Sequence, residues 1–317
     1  MLKLALIFLL ILLSAVSLLI GPVNISITDI FSMTEEQQVV FFAARVPRLI
    51  TIIITGMTMS IAGLIMQCLS RNKFVSPSTA GTTDSARLGI LVSMLFAGGA
   101  GIFTRTLFAF FFSLASTMLF MKILDKVKYK DAVFIPLVGI MYGNVIASVT
   151  MFYAYRNNMV QNVSTWLLGD FSSILRGRYE LIYITIPLLI VAYVFADKFI
   201  IAGMGDEFAK NLGLNHKAIV NIGLIIISVI SSVVLLIVGT LPFLGLVVPN
   251  VVSILYGDNL KKTLPMVAVG GAVFLLICDI ISRLVLHPFE VPVNLTVGVV
   301  GGITFLILLL RRQARGQ

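Results

Sequence analysis

Apolar runs approaching or reaching bilayer length recur from one end of this sequence to the other, broken only by short polar stretches. A helix needs roughly 20 mostly apolar residues to cross the hydrocarbon core. On that measure the chain holds about ten spans, at residues 4–20, 49–69, 88–101, 107–124, 133–155, 181–196, 218–238, 245–256, 264–286 and 291–310. Composition supports this: of 317 residues, 59% are hydrophobic and 12% charged, and mean hydropathy is +1.06. A soluble domain of this size could not hide so much apolar surface. The expected fold is an all-α polytopic membrane protein forming one domain over residues 1–317. Two spans, 88–101 and 245–256, are short, so the loops beside them are expected to dip into the interior. The first run, with Lys3 and the small residues Ser14 and Ser17, has some marks of a cleaved leader, but its length and the spans that follow favour a membrane segment.

Basic residues collect on the cytoplasmic side of short loops. With the amino terminus inside, all the lysines fall inside: Lys3, Lys73, Lys122, Lys126, Lys128, Lys130, Lys198, Lys210, Lys217, Lys261 and Lys262. Arg311, Arg312 and Arg315 agree, which puts both termini in the cytoplasm. The net charge of +9 is then a topology signal, and nucleic acid is not an expected partner. The outer cations are all arginine: Arg45, Arg48, Arg105, Arg156, Arg176, Arg178 and Arg283. Arginine grips carboxylates with a planar fork, whereas lysine is a hydrated point charge. An arginine-only outer face suits docking of acidic groups, or anchoring to lipid phosphates.

Catalytic and metal chemistry find little support. Cys68 and Cys278 lie in different spans and read as small packing residues. His216 and His287 fall on opposite sides of the membrane, so they cannot share a metal. Neither H-E-x-x-H nor a phosphate-binding G-x-x-x-x-G-K-[ST] loop is present. Ion-coupled transporters usually keep an acid within the membrane. The one deep candidate is Asp279, followed one turn later by Arg283, where the two can pair. A paired acid carries ions poorly, although a proton-coupled transporter using Asp279 stays open as the alternative, with a membrane assembly subunit a remoter one.

The stretch GDEFAKNLGLN, residues 205–215, lies between spans six and seven on the lysine side. Asp206 and Glu207 suit a helix amino-terminal turn, and Gly213 suits a stop. Phe208 and Leu212 share one face at i, i+4 spacing, with Ala209 beside them. The reading is a short amphipathic helix at the membrane surface that offers an apolar knob.

Several motifs in order resemble one family. ARVPRL (44–49) is similar to an R-x-P-R element opening span two, and AGLIMQ (62–67) to S-G-x-x-x-Q. RNKFVSPSTAG (71–81) resembles N-P-L-x-x-P-x-x-L-G, and WLLGDF (166–171) a W-x-x-G loop. GTLPFLGLVVPN (239–250), DIISRL (279–284) and FEVPVNLTVGVVGG (289–302) are the strongest matches. Together they resemble the permease subunits of bacterial ABC importers for iron-siderophore complexes, haem and vitamin B12, the FecCD family.

The resemblance implies the type II ABC importer permease fold in the bacterial cytoplasmic membrane. It implies that residues 205–215 form the coupling helix that seats on an ATPase, through Gly205, Phe208, Ala209, Leu212 and Gly213. Partners would be ABC ATPase subunits, a second permease subunit (identical or a paralogue), and an extracytoplasmic siderophore-binding protein, besides membrane lipid. The chain would bind no cofactor or metal itself, and ATP and Mg would be used by the partner ATPase. Arg45, Arg48 and Arg283 match positions that dock the binding protein. The pathway would run between two permeases along spans five and ten, with Asn144, Asn294 and Thr296 as its polar candidates. Lys73, Ala80, Asn250 and Ile303 depart from the general pattern, in the manner of the subgroup serving catecholate-type siderophores such as petrobactin or anguibactin.

Overall fold

The computed structural model of the protein describes residues 2–21, 33–97, 101–126, 134–257, 260–286 and 289–314. Lys128, Lys130, His287 and Arg315 lie outside the described residues. Among the described residues every regular element is helical. The chain runs through α1 (Leu2–Leu19), α2 (Glu35–Leu69), α3 (Thr82–Phe96), α4 (Ile102–Lys126), α5 (Phe134–Arg156) and the short α6 (Val160–Leu167). It continues with α7 (Glu180–Val194), α8 (Ala196–Met204), α9 (Asp206–Asn211), α10 (His216–Ile237), α11 (Leu244–Tyr256), α12 (Leu260–Leu284) and α13 (Val293–Ala314). Each of the ten expected spans corresponds to a helix, α7 and α8 together forming the sixth with a 62° bend between them. Six helices, α2, α4, α5, α10, α12 and α13, are each long and apolar enough to cross a bilayer.

Helix α2 is the hub, packed against α10, α11 and α12, while α1 lies along α12 and α3 pairs with α4 and α5. Backbone approach sets these crossings. A Cβ on Gly63 would fall 1.8 Å from the Gly245 carbonyl oxygen, so α2 and α11 touch backbone to backbone there. Proline placement adds hydrogen bonds between elements. Pro249 cannot donate to the Gly245 carbonyl four residues earlier, and the Gln67 side-chain amide reaches that oxygen from α2 at 3.4 Å. In the same way the Ala43 carbonyl, four residues before Pro47, accepts the Arg176 backbone N–H at 3.0 Å. Just before Pro47, α2 widens into a π-helical turn over Phe41–Arg45.

The loops beside the two short spans do enter the interior. In residues 70–81, Asn72, Val75, Ser76 and Ala80 are buried, and before α11 so are Val238 and Leu241. One boundary differs from the sequence expectation: α3 begins at Thr82, six residues before the expected start. Its first turns are polar and read as loop, yet Thr82, Ser85 and Arg87 are buried inside the bundle. Thr82 bonds Thr117 at 2.8 Å and Ser85 donates to Ser116 at 2.5 Å, so α4 supplies the partners these hydroxyls need below the membrane surface.

Candidate functional site

Residues 205–215 fold as expected. Gly205 precedes α9 at φ 120°, Asp206 and Glu207 fill the first turn, and Gly213 follows the helix at φ 73°. The Gly213 N–H donates to the Lys210 carbonyl and the Leu214 N–H to the Ala209 carbonyl, both at 2.9 Å. That pair of bonds closes the helix and requires a left-handed residue at 213, which glycine adopts without a Cβ penalty. Lys210 donates to Asp206 at 2.7 Å and thereby holds the Asp206 carboxyl below its usual range.

Ala209 is fully buried against the bundle, whereas Phe208 and Leu212 are 48% and 56% exposed. An exposed apolar pair on a short helix is poised to be covered. Covering what remains exposed would contribute about 1 kcal/mol per side chain. Behind the knob the chain segments approach closely. Helix α9 packs on α8 and α10. A Cβ at Gly203 of α8 would meet the Cys68 carbonyl at 2.8 Å, and one at Gly205 would meet the Arg71 guanidinium at 2.7 Å. Helix α9 is thus joined to the end of α2 through α8 and lies beside the Arg71 side chain.

At the opposite, arginine-bearing end the guanidiniums of Arg45, Arg48 and Arg283 are engaged within the chain, the Asp279–Arg283 pair among these contacts as its one-turn spacing suggested. Arg45 donates to the Leu18 and Leu19 carbonyls at 2.7 and 3.0 Å. Arg283 donates to the Ser17 and Ile20 carbonyls at 3.0 and 2.9 Å, and to the Ser17 hydroxyl at 2.6 Å. The last carbonyls of a helix have no intrahelical donor and carry the negative end of its dipole. Two buried arginines satisfy that end of α1.

Arg48 bridges Asp279 at 2.8 Å and Glu290 at 2.7 Å. Asp279, fully buried, also pairs with Arg283. The acid is thus neutralised twice. Of the outer arginines, Arg156, Arg176 and Arg178 are the exposed ones.

The expected pathway residues separate. Asn144 is exposed on α5, with Ser148 one turn on and Met141 and Val145 beside it. Thr296 turns into the bundle, donating to the Cys278 and Val293 carbonyls. Asn294 packs against Gly169, and its backbone N–H donates to the Gly169 carbonyl at 3.0 Å. Helices α5 and α13 are the least enclosed spans, with 22% of their apolar windows buried against 78% for α2.

One pair escaped the sequence reading. Asp84 and Arg87 form an ion pair at 3.4 Å inside the bundle, so Asp279 is not the only deep acid. Its i, i+3 spacing was visible; its depth was not, because the helix start was placed beyond it.

An all-helical bundle of spanning helices with interior segments and a short presented helix has the architecture of a polytopic transport permease. The chain belongs to the FecCD transport family, whose profile matches residues 9–311. It is 55% identical over 306 residues to the petrobactin import system permease protein YclN of Bacillus subtilis, covering 96% of this chain and 97% of that one. It is 42% identical to the ferric-anguibactin transport system permease protein FatD of Vibrio anguillarum, covering 94% and 95%. Among solved structures, an inward-facing metal-chelate type ABC transporter superposes with a TM-score of 0.82 at 20% identity, covering 97% of this chain and 98% of that one. PsaBC from Streptococcus pneumoniae superposes with a TM-score of 0.61 at 14% identity.

Proposed function

We propose that the chain is the permease subunit of an ATP-driven importer carrying a ferric catecholate-type siderophore complex into the cytoplasm. The observation that carries the ATP-driven reading is the exposed Phe208 and Leu212 knob, which α8 joins closely to α2. It is a mechanical input, and the sequence has no phosphate loop to generate force itself. An ATPase subunit covers the knob, and its nucleotide-driven closure pushes α9 against α8 and Arg71, and through α8 on α2. The substrate class rests on likeness to the petrobactin and anguibactin permeases.

The remaining assignments follow from that frame. The lysine end, with both termini, is cytoplasmic. The exposed faces of α5 and α13 meet a second permease subunit, and the pathway runs between them past Asn144, whose bare amide would be costly against lipid. Asn294 and Thr296 brace α13 beside that pathway. A binding protein docks at the arginine end, where Arg156, Arg176 and Arg178 steer its acidic groups, on a platform held by Arg45, Arg48 and Arg283. The doubly paired Asp279 argues against proton coupling.

The test is uptake of radiolabelled iron as catecholate, hydroxamate or citrate chelates by cells carrying the permease with its ATPase and binding protein. Catecholate uptake that stops on ATP depletion and survives collapse of the proton gradient is expected. Uptake that follows the proton gradient would restore Asp279 to the centre of the mechanism and overturn this one.

A further inference from the structure

Asp84 and Arg87 take no part in the coupling helix, the arginine platform or the exposed α5 face. They lie one turn apart on α3, whose start is enclosed because residues 70–81 enter the interior. Arg87 is 7% exposed. Its guanidinium makes one long contact, Nη1 to Asp84 Oδ1 at 3.4 Å, and its Nε is buried without a hydrogen-bond partner. A guanidinium carries five donors in a planar fork. Arg45 and Arg283 also leave Nε unpartnered, but their Nη groups make two and four hydrogen bonds that fix α1 and Asp279, whereas the Nη groups of Arg87 make only the one long contact.

The other half of the pair abuts the proposed pathway. Asp84 Oδ2 lies 2.8 Å from where a Cβ on Gly143 would stand, so the carboxylate sits in the notch that the missing Cβ leaves in α5. The next residue on α5 is the exposed Asn144. Gly143 is well inside a spanning helix, beyond the reach of lipid headgroups. An under-satisfied ion pair at such depth is costly, and apolar residues of similar size would serve packing at least as well. Unspent, desolvated guanidinium donors suit an anionic oxygen ligand.

We infer that Arg87, neutralised at rest by Asp84, is an anion-binding group of the pathway wall. It engages carboxylate or catecholate oxygens of the passing chelate when α5 separates from α3. The inference rests on the importer function proposed above and adds a residue that reads cargo charge.

The experiment uses the complete complex of permease, ATPase and binding protein in phosphatidylcholine proteoliposomes, with a ferric catecholate as the probe. Arg87→Gln is expected to lower the initial rate of ATP-dependent uptake about tenfold or more, and Arg87→Lys, which keeps the charge, to recover most of it. The exchanged pair Asp84→Arg with Arg87→Asp is expected to stay slow. Wild-type rates in Arg87→Gln, or full recovery in the exchanged pair, would overturn the assignment and leave only a packing contact.

If Arg87→Gln fails to assemble, Asp84→Asn supplies the second reading. Freed of its counter-charge, Arg87 should hold the chelate on the complex about tenfold longer, and unchanged retention would overturn the inference. A wild-type complex that never imports the chelate overturns both this inference and the importer function. An importing wild type with an indifferent Arg87→Gln overturns this inference alone.

Discussion

Arg48 and Asp279 are separated by 231 residues and meet through two hydrogen bonds, Nε at 3.1 Å and Nη2 at 2.8 Å on one carboxylate oxygen. The other oxygen is taken by Arg283. One buried acid therefore ties α2 to α12, and through Arg283 to the end of α1. Asp279→Asn would leave the buried Arg283 guanidinium without its paired carboxylate and Arg48 with Glu290 alone, a loss of about 3–5 kcal/mol for a broken buried pair. Thermal unfolding of the solubilised permease should show a clear drop in Tm. An undiminished Tm with uptake abolished would instead fit an acid that carries protons.

Adjacent glycines on α12 should respond oppositely to the same substitution. A Cβ at Gly271 would sit 2.1 Å from the Gly56 carbonyl and 2.2 Å from Ser60 Oγ, whereas one at Gly270 meets only Val248 and Val252 methyls at 3.5 Å. Gly271→Ala must separate α2 from α12 and should cost about 1–3 kcal/mol or more. Gly270→Ala makes ordinary contact and removes a helix-interior glycine, so it should stabilise by about 0.5–1 kcal/mol. Tm values that fall together would mean the α2–α12 crossing is looser than these distances.

Much of this was legible in the sequence, for a physical reason. Hydrocarbon forces backbone groups to pair within a helix, so apolar length alone located the spans, and α9 followed from its glycines and its i, i+4 pair. Two things were not legible. The first turns of α3 are polar yet buried, because the α4 hydroxyls of Thr117 and Ser116 pair with Thr82 and Ser85; a hydropathy pattern reads polarity as exposure. The fate of Arg45 and Arg283 was hidden as well, since their acceptors are backbone carbonyls at the end of α1, which no side-chain pattern announces.

That difference between buried and exposed arginines yields its own expectation. Arg176→Glu with Arg178→Glu should weaken binding-protein docking to the reconstituted permease, and more so at low salt, where exposed charges are least screened. Arg45→Glu should act on the platform, lowering Tm because the Leu18 and Leu19 carbonyls lose their donor. Affinity measured across salt concentrations, alongside Tm, separates the two. Docking indifferent to positions 176 and 178 at every salt concentration would remove that loop from the contact.

The coupling helix offers the sharpest test of how force enters. Leu212→Asp replaces half of the exposed knob by a charge that would have to be desolvated against an ATPase groove, while leaving buried Ala209 and the closing bonds at Gly213 and Leu214 in place. The permease should insert and unfold normally yet fail to co-purify with its ATPase. Gly213→Ala acts differently, by straining a backbone at φ 73° by about 1–2 kcal/mol, so it should loosen the helix and reduce coupling without abolishing association. Acid adds a third reading. The Asp206 carboxyl is held below its usual range by Lys210. Its pairing is therefore complete above the ordinary carboxylate pKa of about 3.9 and is lost only as pH falls through the lower folded value. Association should then be insensitive to Asp206→Asn in salt-containing buffer near neutrality, because the pair is exposed and screened. Co-purification that survives Leu212→Asp but fails in Asp206→Asn would move the contact from the apolar knob to the charged edge of α9.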